Sequence, residues 1–378
     1  MKKDLSRVLE AAHTVSLPKD ITDQVDTFCE KIAAKYPKAD IGAIQMISEN
    51  TARYYHAVGE AGAGMVQDDI DLFRDISMIV TAKLFTGSVI AELASVQPLD
   101  NIYGYIYRMT FEYADNYAPD GITAGQSLGA VRSSSFASDP GEQVVARRIK
   151  AELRRELVEA KLRPLQLSQT FHSILRRASV LGRDRAQFDN TMLQTAYNKL
   201  RDELEVTALA ALSAAVPAAN IVGFVDPVAT VDCIDRECEY GLIFDSAGEA
   251  SRRVYDNIMQ YPNVIITGAE GLRIMERYIK YPEQQMINPL SMMPQRGRMG
   301  VFAHRWAVYY DPSVGAQMIF GVFNPEDSMS NPVIYAPYIT VAVSPEILEK
   351  DLTTTNIVFA VDRIDIADNT MLARIDIT

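Results

Sequence analysis

The sequence predicts an α+β protein in which one long helix lies across a mixed sheet while a two-stranded arm stands away from the body. Three observations point there. In residues 184–216, Phe188, Met192, Ala196, Leu200, Leu204, Ala208 and Leu212 recur at every fourth position, with Gln187, Lys199, Arg201, Asp202 and Glu205 between them, the pattern of an amphipathic helix. From Tyr105 the period changes to two: Tyr105, Tyr107, Met109, Phe111 and Tyr113 share one face of a strand, and Ile106, Arg108, Thr110 and Glu112 the other. Beyond residue 220 the chain breaks into short apolar runs with turn signals at Asp311-Pro312 and Asn324-Pro325.

The long helix sets the scale. Asp184 with Gln187 three residues later offers an N-terminal cap, and Pro217 ends the run. About 33 residues at 1.5 Å each span ~50 Å. A four-residue step drifts about 40° per repeat on a 3.6-residue turn, so the apolar stripe winds instead of forming a coiled-coil seam. That favours a spine laid across a sheet, and an ordinary core helix of an α+β domain fits the pattern equally well.

Taken in order, residues 21–35 and 41–58 carry helical spacing, broken by Pro18, Pro37, Gly59, Gly62 and Gly64. The AGAG at 61–64 lacks the third glycine and the preceding strand of a dinucleotide loop, and reads as a hinge. Residues 68–93 resume apolar periodicity with Ile70, Phe73, Ile76, Ile79, Val80 and Leu84, expected to pack beneath the later sheet. After the strand at 105–113, residues 115–143 are rich in Asp, Gly and Ser and form an exposed loop longer than compact domains usually carry.

Residues 147–163 set Arg147, Arg148, Lys150, Arg154, Arg155, Lys161 and Arg163 against Glu152, Glu156 and Glu159, seven minus three giving +4. The interleaved acids and missing aromatics argue against a nucleic-acid patch and for a charged arm meeting an acidic neighbour. Since 157–170 alternates roughly, 105–170 reads as a long hairpin with a large tip. Further on, strands are expected at 221–231, 240–244, 264–267, 301–310, 317–323 and 333–339, and helices at 249–259 and 272–281. A Met-, Pro- and Arg-rich loop covers 288–300. Strands at 356–361 and 371–377 are expected to return to the sheet beside the spine.

At 378 residues, 48% hydrophobic and 23% charged, the chain is long enough for one large domain or two to three modest ones. A net charge of -12 argues against a protein whose main task is gripping nucleic acid by its phosphates. Cys29, Cys233 and Cys238 are too few for a disulfide framework, and the pair at 233 and 238 lacks the second pair and nearby histidine of a zinc site. No apolar leader or 18-residue uncharged run marks secretion or a membrane span, so a soluble chain is expected. His13, His56, His172 and His304 are scattered, and no metalloprotease, nucleophile-elbow or phosphate-loop motif occurs. Asp68 with Asp69 and Asp232 with Asp235 read as solvated carboxylates, and His304 beside Arg305 and Trp306 as a packing residue. No enzyme activity, cofactor or metal is expected.

The run from Phe302 to Tyr338, with Tyr310-Asp311-Pro312 closing an aromatic strand, a glycine-bearing strand at 319–322, an Asn-Pro turn and Tyr335-Ala336-Pro337-Tyr338, resembles the C-terminal sheet of major capsid proteins of tailed bacteriophages, in particular the T-even-like branch. Val96-Gln97-Pro98-Leu99 followed by Gly104 resembles the lead-in to that family's extended loop, and Val158-Glu159-Ala160-Lys161-Leu162-Arg163 its return limb. The helix from Asp184 takes the place of the spine helix, and 263–268 that of a buried axial-domain strand. The likeness covers about residues 85–340 in order.

The resemblance implies the Hong Kong 97-type capsid fold, divided as an N-terminal, largely helical arm at 1–85, the start of the peripheral domain and the extended-loop hairpin at 86–170, the spine helix at 171–217, an axial domain at 218–340, and terminal strands returning to the peripheral domain at 341–378. It implies assembly into pentamers and hexamers of an icosahedral head around double-stranded DNA bound without sequence preference, with portal and scaffolding proteins as partners and the presence of decoration proteins left open. The protein would be assembled in the host cytoplasm and reside in the virion, with no membrane contact. Inter-subunit contacts are expected from Tyr105, Tyr107, Arg108, Met109, Phe111, Arg154, Arg155, Lys161 and Arg163, and the spine from Phe188, Met192, Leu200, Leu204 and Leu212. Residues 1–80 depart from the family's pro-region, and Val58-Gly59-Glu60-Ala61 only loosely resembles its protease sites, so the arm is expected to stay attached. Nothing carries over the crosslink of one branch. The competing readings are an encapsulin-type compartment with enzyme cargo, a nucleic-acid-binding protein using 147–163, and an enzyme.

Overall fold

The computed structural model describes, with isolated gaps, residues 14–36, 40–60, 70–82, 88–116, 149–169, 185–224, 236–277, 297–325, 331–348 and 354–378, and all structural statements concern these residues. Helices are α1 (Lys19–Lys35), α2 (Ile41–Glu60), α3 (Val89–Leu93), α4 (Arg185–Ala215), α5 (Arg236–Ile258) and α6 (Ala269–Arg277). Strands are β1 (Ser95–Val96), β2 (Tyr103–Tyr113), β3 (Ile149–Glu159), β4 (Lys161–Gln169), β5 (Ile221–Phe224), β6 (Val264–Thr267), β7 (Gly297–Phe302), β8 (Trp306–Tyr310), β9 (Gln317–Gly321), β10 (Val333–Val343), β11 (Ile347–Leu348), β12 (Thr354–Ile366) and β13 (Leu372–Ile377). The fold is mixed α+β, as expected.

The first sheet runs β1-β10-β12-β11, with β4 on the other edge of β12. Every residue of β10 is buried, because both faces of the strand are covered. Val333, Tyr335, Val341 and Val343 pack with Ala196, Tyr197, Leu200, Leu204, Ala208 and Leu212 of the spine α4. Ile334, Ala336, Tyr338, Ile339 and Ala342 pack with Tyr54, Tyr55, Ala57 and Val58 of α2. A strand buried on both faces reads as a continuous apolar run, and VIYAPYITVAV is one. Its Pro337, which has no N–H to give the ladder, sits where the register with β12 shifts.

The N-terminal segment thus packs as a layer on the body through α2, which lies against β10. The Asn50 amide donates to the Leu99 and Tyr338 carbonyls at 2.8 and 3.2 Å, and the Tyr54 hydroxyl donates to the Val343 carbonyl at 3.3 Å. The Tyr55 hydroxyl accepts from the Val343 N–H at 3.0 Å. The AGAG segment and Asp184 lie outside the described residues.

The second sheet runs β5-β13-β9-β6-β8-β7. Ile243, Ala247, Ala250 and Val254 of α5 and Leu272, Ile274 and Met275 of α6 cover one face. Ile266, Tyr309, Ile319 and Leu372 on the other join the core of the spine. The last turn of α4 is tied there, Arg374 donating to the Ser213 carbonyl at 2.9 Å and the Ser213 hydroxyl to Gln317 at 2.7 Å.

Three expectations fail in this half. Residues 240–244 belong to α5, not a strand: Ile243, Ala247, Ala250 and Val254 step by four, three and four, and that helical face extends back through Phe244. The run 301–310 is a hairpin, β7 and β8, turning where Ala303 takes a φ of 50°. The end of the expected 288–300 loop, from Gly297, is already β7. The C-terminal strand β13 inserts between β5 and β9 in the second sheet, while β10 pairs with β12 in the first. The chain thus crosses between the two large sheets three times, from β4 to β5, β9 to β10 and β12 to β13, which strand order in the sequence does not reveal.

Candidate assembly surface

β2 and β3 form a separate two-stranded sheet in continuous antiparallel register from Tyr103↔Glu159 to Tyr113↔Ile149. Strand alternation gives it two unlike faces. One carries Tyr103, Tyr105, Tyr107, Leu153 and Leu157, which are 52, 43, 39, 55 and 60% exposed. Arg155 Cζ lies over the Tyr105 ring, 3.3 Å from its centroid, an arrangement that covers part of the ring and keeps the cation in water.

The other face turns toward the body. At its root Ile106 and Val158 are buried with Leu99, Ile102 and Ala160. Further out it becomes ionic. Arg108 and Arg154 stand directly opposite each other, a repulsive cross-strand pairing that diagonal acids offset: Arg108 pairs with Glu156, and Arg154 with Glu112 at 2.8 Å. The Arg108 guanidinium also donates to the Ala367 carbonyl at 3.1 Å and lies 4.0 Å from Asp365 of β12. Partial burial holds the Asp365 carboxyl above its ordinary range, Glu156 adding to the shift and Arg108 and Arg363 opposing it.

The predicted residues are distributed as follows. Tyr105, Tyr107 and Arg155 lie on the exposed face, with half-buried Met109 one rung further out, opposite Leu153. Phe111 is in β2 opposite Ala151, and its side chain lies outside the described residues. Arg108 and Arg154 lie on the ionic face. Lys161 and Arg163, expected in the extended loop, belong instead to β4, which pairs with β12 after the single residue Ala160. There Arg163 forms an ion pair with Asp362, whose carboxyl burial holds above its ordinary range despite the opposing guanidinium. Leu200, Leu204 and Leu212 face the spine core, whereas the side chains of Phe188 and Met192 lie outside the described residues.

Reading from sequence overlooked Tyr103, Leu153 and Gln97. The period-two signal was present in Ala151, Leu153, Arg155 and Leu157, but five charges among residues 150–156 made the segment read as a basic stretch. Gln97 gave no signal, since only tertiary structure brings it to β2.

Of the histidines only His56 is described, with Nδ1 3.6 Å from Glu60 one helical turn on. Among the described residues no cluster of three metal-ligating side chains occurs, and no helix is long and apolar enough to cross a membrane. Asp68, Asp69, Asp232, Asp235, His304 and most of the tip at 115–143 lie outside the described residues.

No protein-family model matches the sequence, and no curated protein does. Solved structures do resemble it. A phage-related protein from Bordetella bronchiseptica RB50 aligns over 80% of this chain and 95% of its own at 12% identity, with a TM-score of 0.47. The holo-SrpI encapsulin complex from Synechococcus elongatus aligns over 76% and 86% at 8% identity, with a TM-score of 0.46. The mature capsid of bacteriophage PhiM1 aligns over 77% and 87% at 10% identity, with a TM-score of 0.39.

Proposed function

We propose that this chain is the subunit of a closed protein shell: the major capsid protein of a tailed-phage head of the Hong Kong 97 type, in its T-even-like branch. In that reading, pentamers and hexamers close an icosahedral container around double-stranded DNA. The observation that carries it is the uncovered hairpin face. A two-stranded hairpin alone is marginal in water, and this one displays Tyr103, Tyr105, Tyr107, Leu153 and Leu157 in one register while its other face is turned to its own body. In a homo-oligomer the surface always present to cover such a face is another copy. Contacts repeated under closed symmetry turn a modest interface into a stable shell. The net charge of -12 suits a wall that encloses DNA without adhering to it. Portal and scaffolding proteins as partners, and residence in the virion, follow the sequence resemblance.

Electron microscopy and sedimentation of the purified full chain test the proposal. Uniform closed particles are the expected result. A compact monomer that stays monomeric at high concentration would overturn it. An encapsulin-type compartment uses the same kind of contact, and the contents of native particles separate the two: nuclease-protected DNA in one, a protein cargo in the other.

A further inference from the structure

The hairpin is not merely attached at its root. Midway along β2 the Gln97 side chain meets the Tyr107 backbone, its Oε1 accepting from the Tyr107 N–H and its Nε2 donating to the Tyr107 carbonyl, both at 2.8 Å. The backbone of Gln97 is itself fixed in the first sheet, its N–H donating to the Tyr335 carbonyl at 2.9 Å. One primary amide thus substitutes for one rung of a neighbouring strand and couples the hairpin edge to β10. At the next residue Arg108 acts on a different side, reaching Ala367 and Asp365 at the end of β12 while paired to Glu156 of its own hairpin. Nearer the root, a Cβ at Gly104 would lie 2.6 Å from Leu99 Cδ2 and 3.3 Å from its Cβ, so any larger residue would require the buried Leu99 side chain to shift.

A single mid-length contact leaves a swivel, and two contacts in different directions remove it. We propose that Gln97 and Arg108 are positioning residues that set the angle at which the hairpin leaves the body, and through it the curvature of the assembled shell. The outer part of β2, from Arg108 to Tyr113, is a lever of ~20 Å at about 3.4 Å per residue. A 10° swing about the lock moves its end by roughly 3.5 Å, enough to unseat side chains that pack at about 4 Å. Selecting shell curvature rests on the assembly function proposed above, whereas locking the hairpin does not.

The test compares full-length wild type with Gln97→Leu, an uncharged side chain that ends one atom short and loses both amide bonds, and with Gln97→Glu, which keeps only the acceptor. Hydrogen exchange of unassembled subunits reads the lock, and particle diameter by electron microscopy reads its consequence. In Gln97→Leu, exchange at 107–113 is expected to rise about tenfold while 333–343 stays protected and the melting temperature holds. Gln97→Glu falls between, and both variants give particles of broadened diameter. Unchanged exchange at 107–113 would overturn the lock itself. Faster exchange with particles of wild-type size and uniformity would overturn its role in curvature. If wild type forms no particles at all, the shell function fails while the exchange result still decides whether Gln97 holds the hairpin.

Discussion

The ring of Tyr54 meets that of Phe359 edge to face, with centroids 5.3 Å apart and planes at 84°, so α2 is seated directly on β12. Phe359 is fully buried in the cluster that joins the N-terminal layer to the first sheet. Phe359→Ala is therefore expected to destabilise the unassembled subunit by about 3–5 kcal/mol through lost transfer energy and the cavity left behind. Denaturant unfolding measures this. A loss below about 1 kcal/mol would mean that the N-terminal helices are not part of the cooperative unit.

Arg163 and Asp362 form a buried pair whose geometry predicts opposite outcomes for single and double changes. Arg163→Met leaves the Asp362 carboxylate buried without its cation, a loss of about 3–5 kcal/mol, whereas Arg163→Met with Asp362→Leu should come close to neutral. A double change as damaging as the single would show that the charges themselves are required.

The same carboxyl gives a pH prediction. Burial holds Asp362 above its ordinary value of 3.8, so folding favours its protonated form. Its contribution is most favourable below that value and is lost as pH rises through the folded-state value. Glu249, lowered to about 2 by hydrogen bonds from Arg252 and Arg253, acts oppositely, so the readout is the stability difference between wild type and Asp362→Asn. Wild type should lose ground to the variant as pH rises from 3 to 7. A difference that moves the other way would contradict the burial argument.

How much of this was legible in the sequence depended on whether a pattern was local. The spine was, because Ala196, Leu200, Leu204, Ala208 and Leu212 are periodic within one helix and all face one core. The exposed hairpin was as well, since Tyr105 and Tyr107 alternate with Ile106 and Arg108. The destination of β13 was not: Leu372, Ala373 and Ile375 are apolar enough for either sheet, and the choice is made by parallel pairing with β5, about 150 residues earlier. Residues 240–244 misled because a short apolar run fits either period until its continuation into Ala247 and Ala250 is counted. Gln97 carries no local pattern, and its role exists only where two distant segments meet.

Gly268 lies where two turns of the second sheet cross, and a Cβ there would fall 2.0 Å from the Gly315 carbonyl oxygen and 2.8 Å from its nitrogen. Backbone atoms cannot rotate away as a flexible side chain can. Gly268→Ala should therefore cost about 1–3 kcal/mol as overpacking, detectable as a lower denaturation midpoint at unchanged slope. By contrast Gly248→Ala, on the α5 surface with nothing within 4 Å of its Cβ, should stabilise by about 0.5–1 kcal/mol through helix propensity. Equal effects at the two sites would remove the close-approach explanation.

The exposed face of the hairpin gives the most direct functional test. Tyr105 and Leu157 are paired across β2 and β3 and both point into solvent, so their loss removes little from the folded subunit. The double change Tyr105→Ser with Leu157→Ser should leave unfolding within about 0.5 kcal/mol per site of wild type. If the face is covered by a neighbour, each subunit contact loses the burial of an aromatic and an aliphatic side chain, roughly 3 kcal/mol or more at about 25 cal/mol per Å². Every 1.4 kcal/mol is a tenfold change in an association constant, and the loss recurs at each contact of a closed shell. The expected result is a folded subunit whose assembly needs at least about a hundredfold higher concentration, read by sedimentation against the unchanged melting curve. Particles forming at the wild-type concentration would mean that the tyrosine face is not what copies of this chain bury.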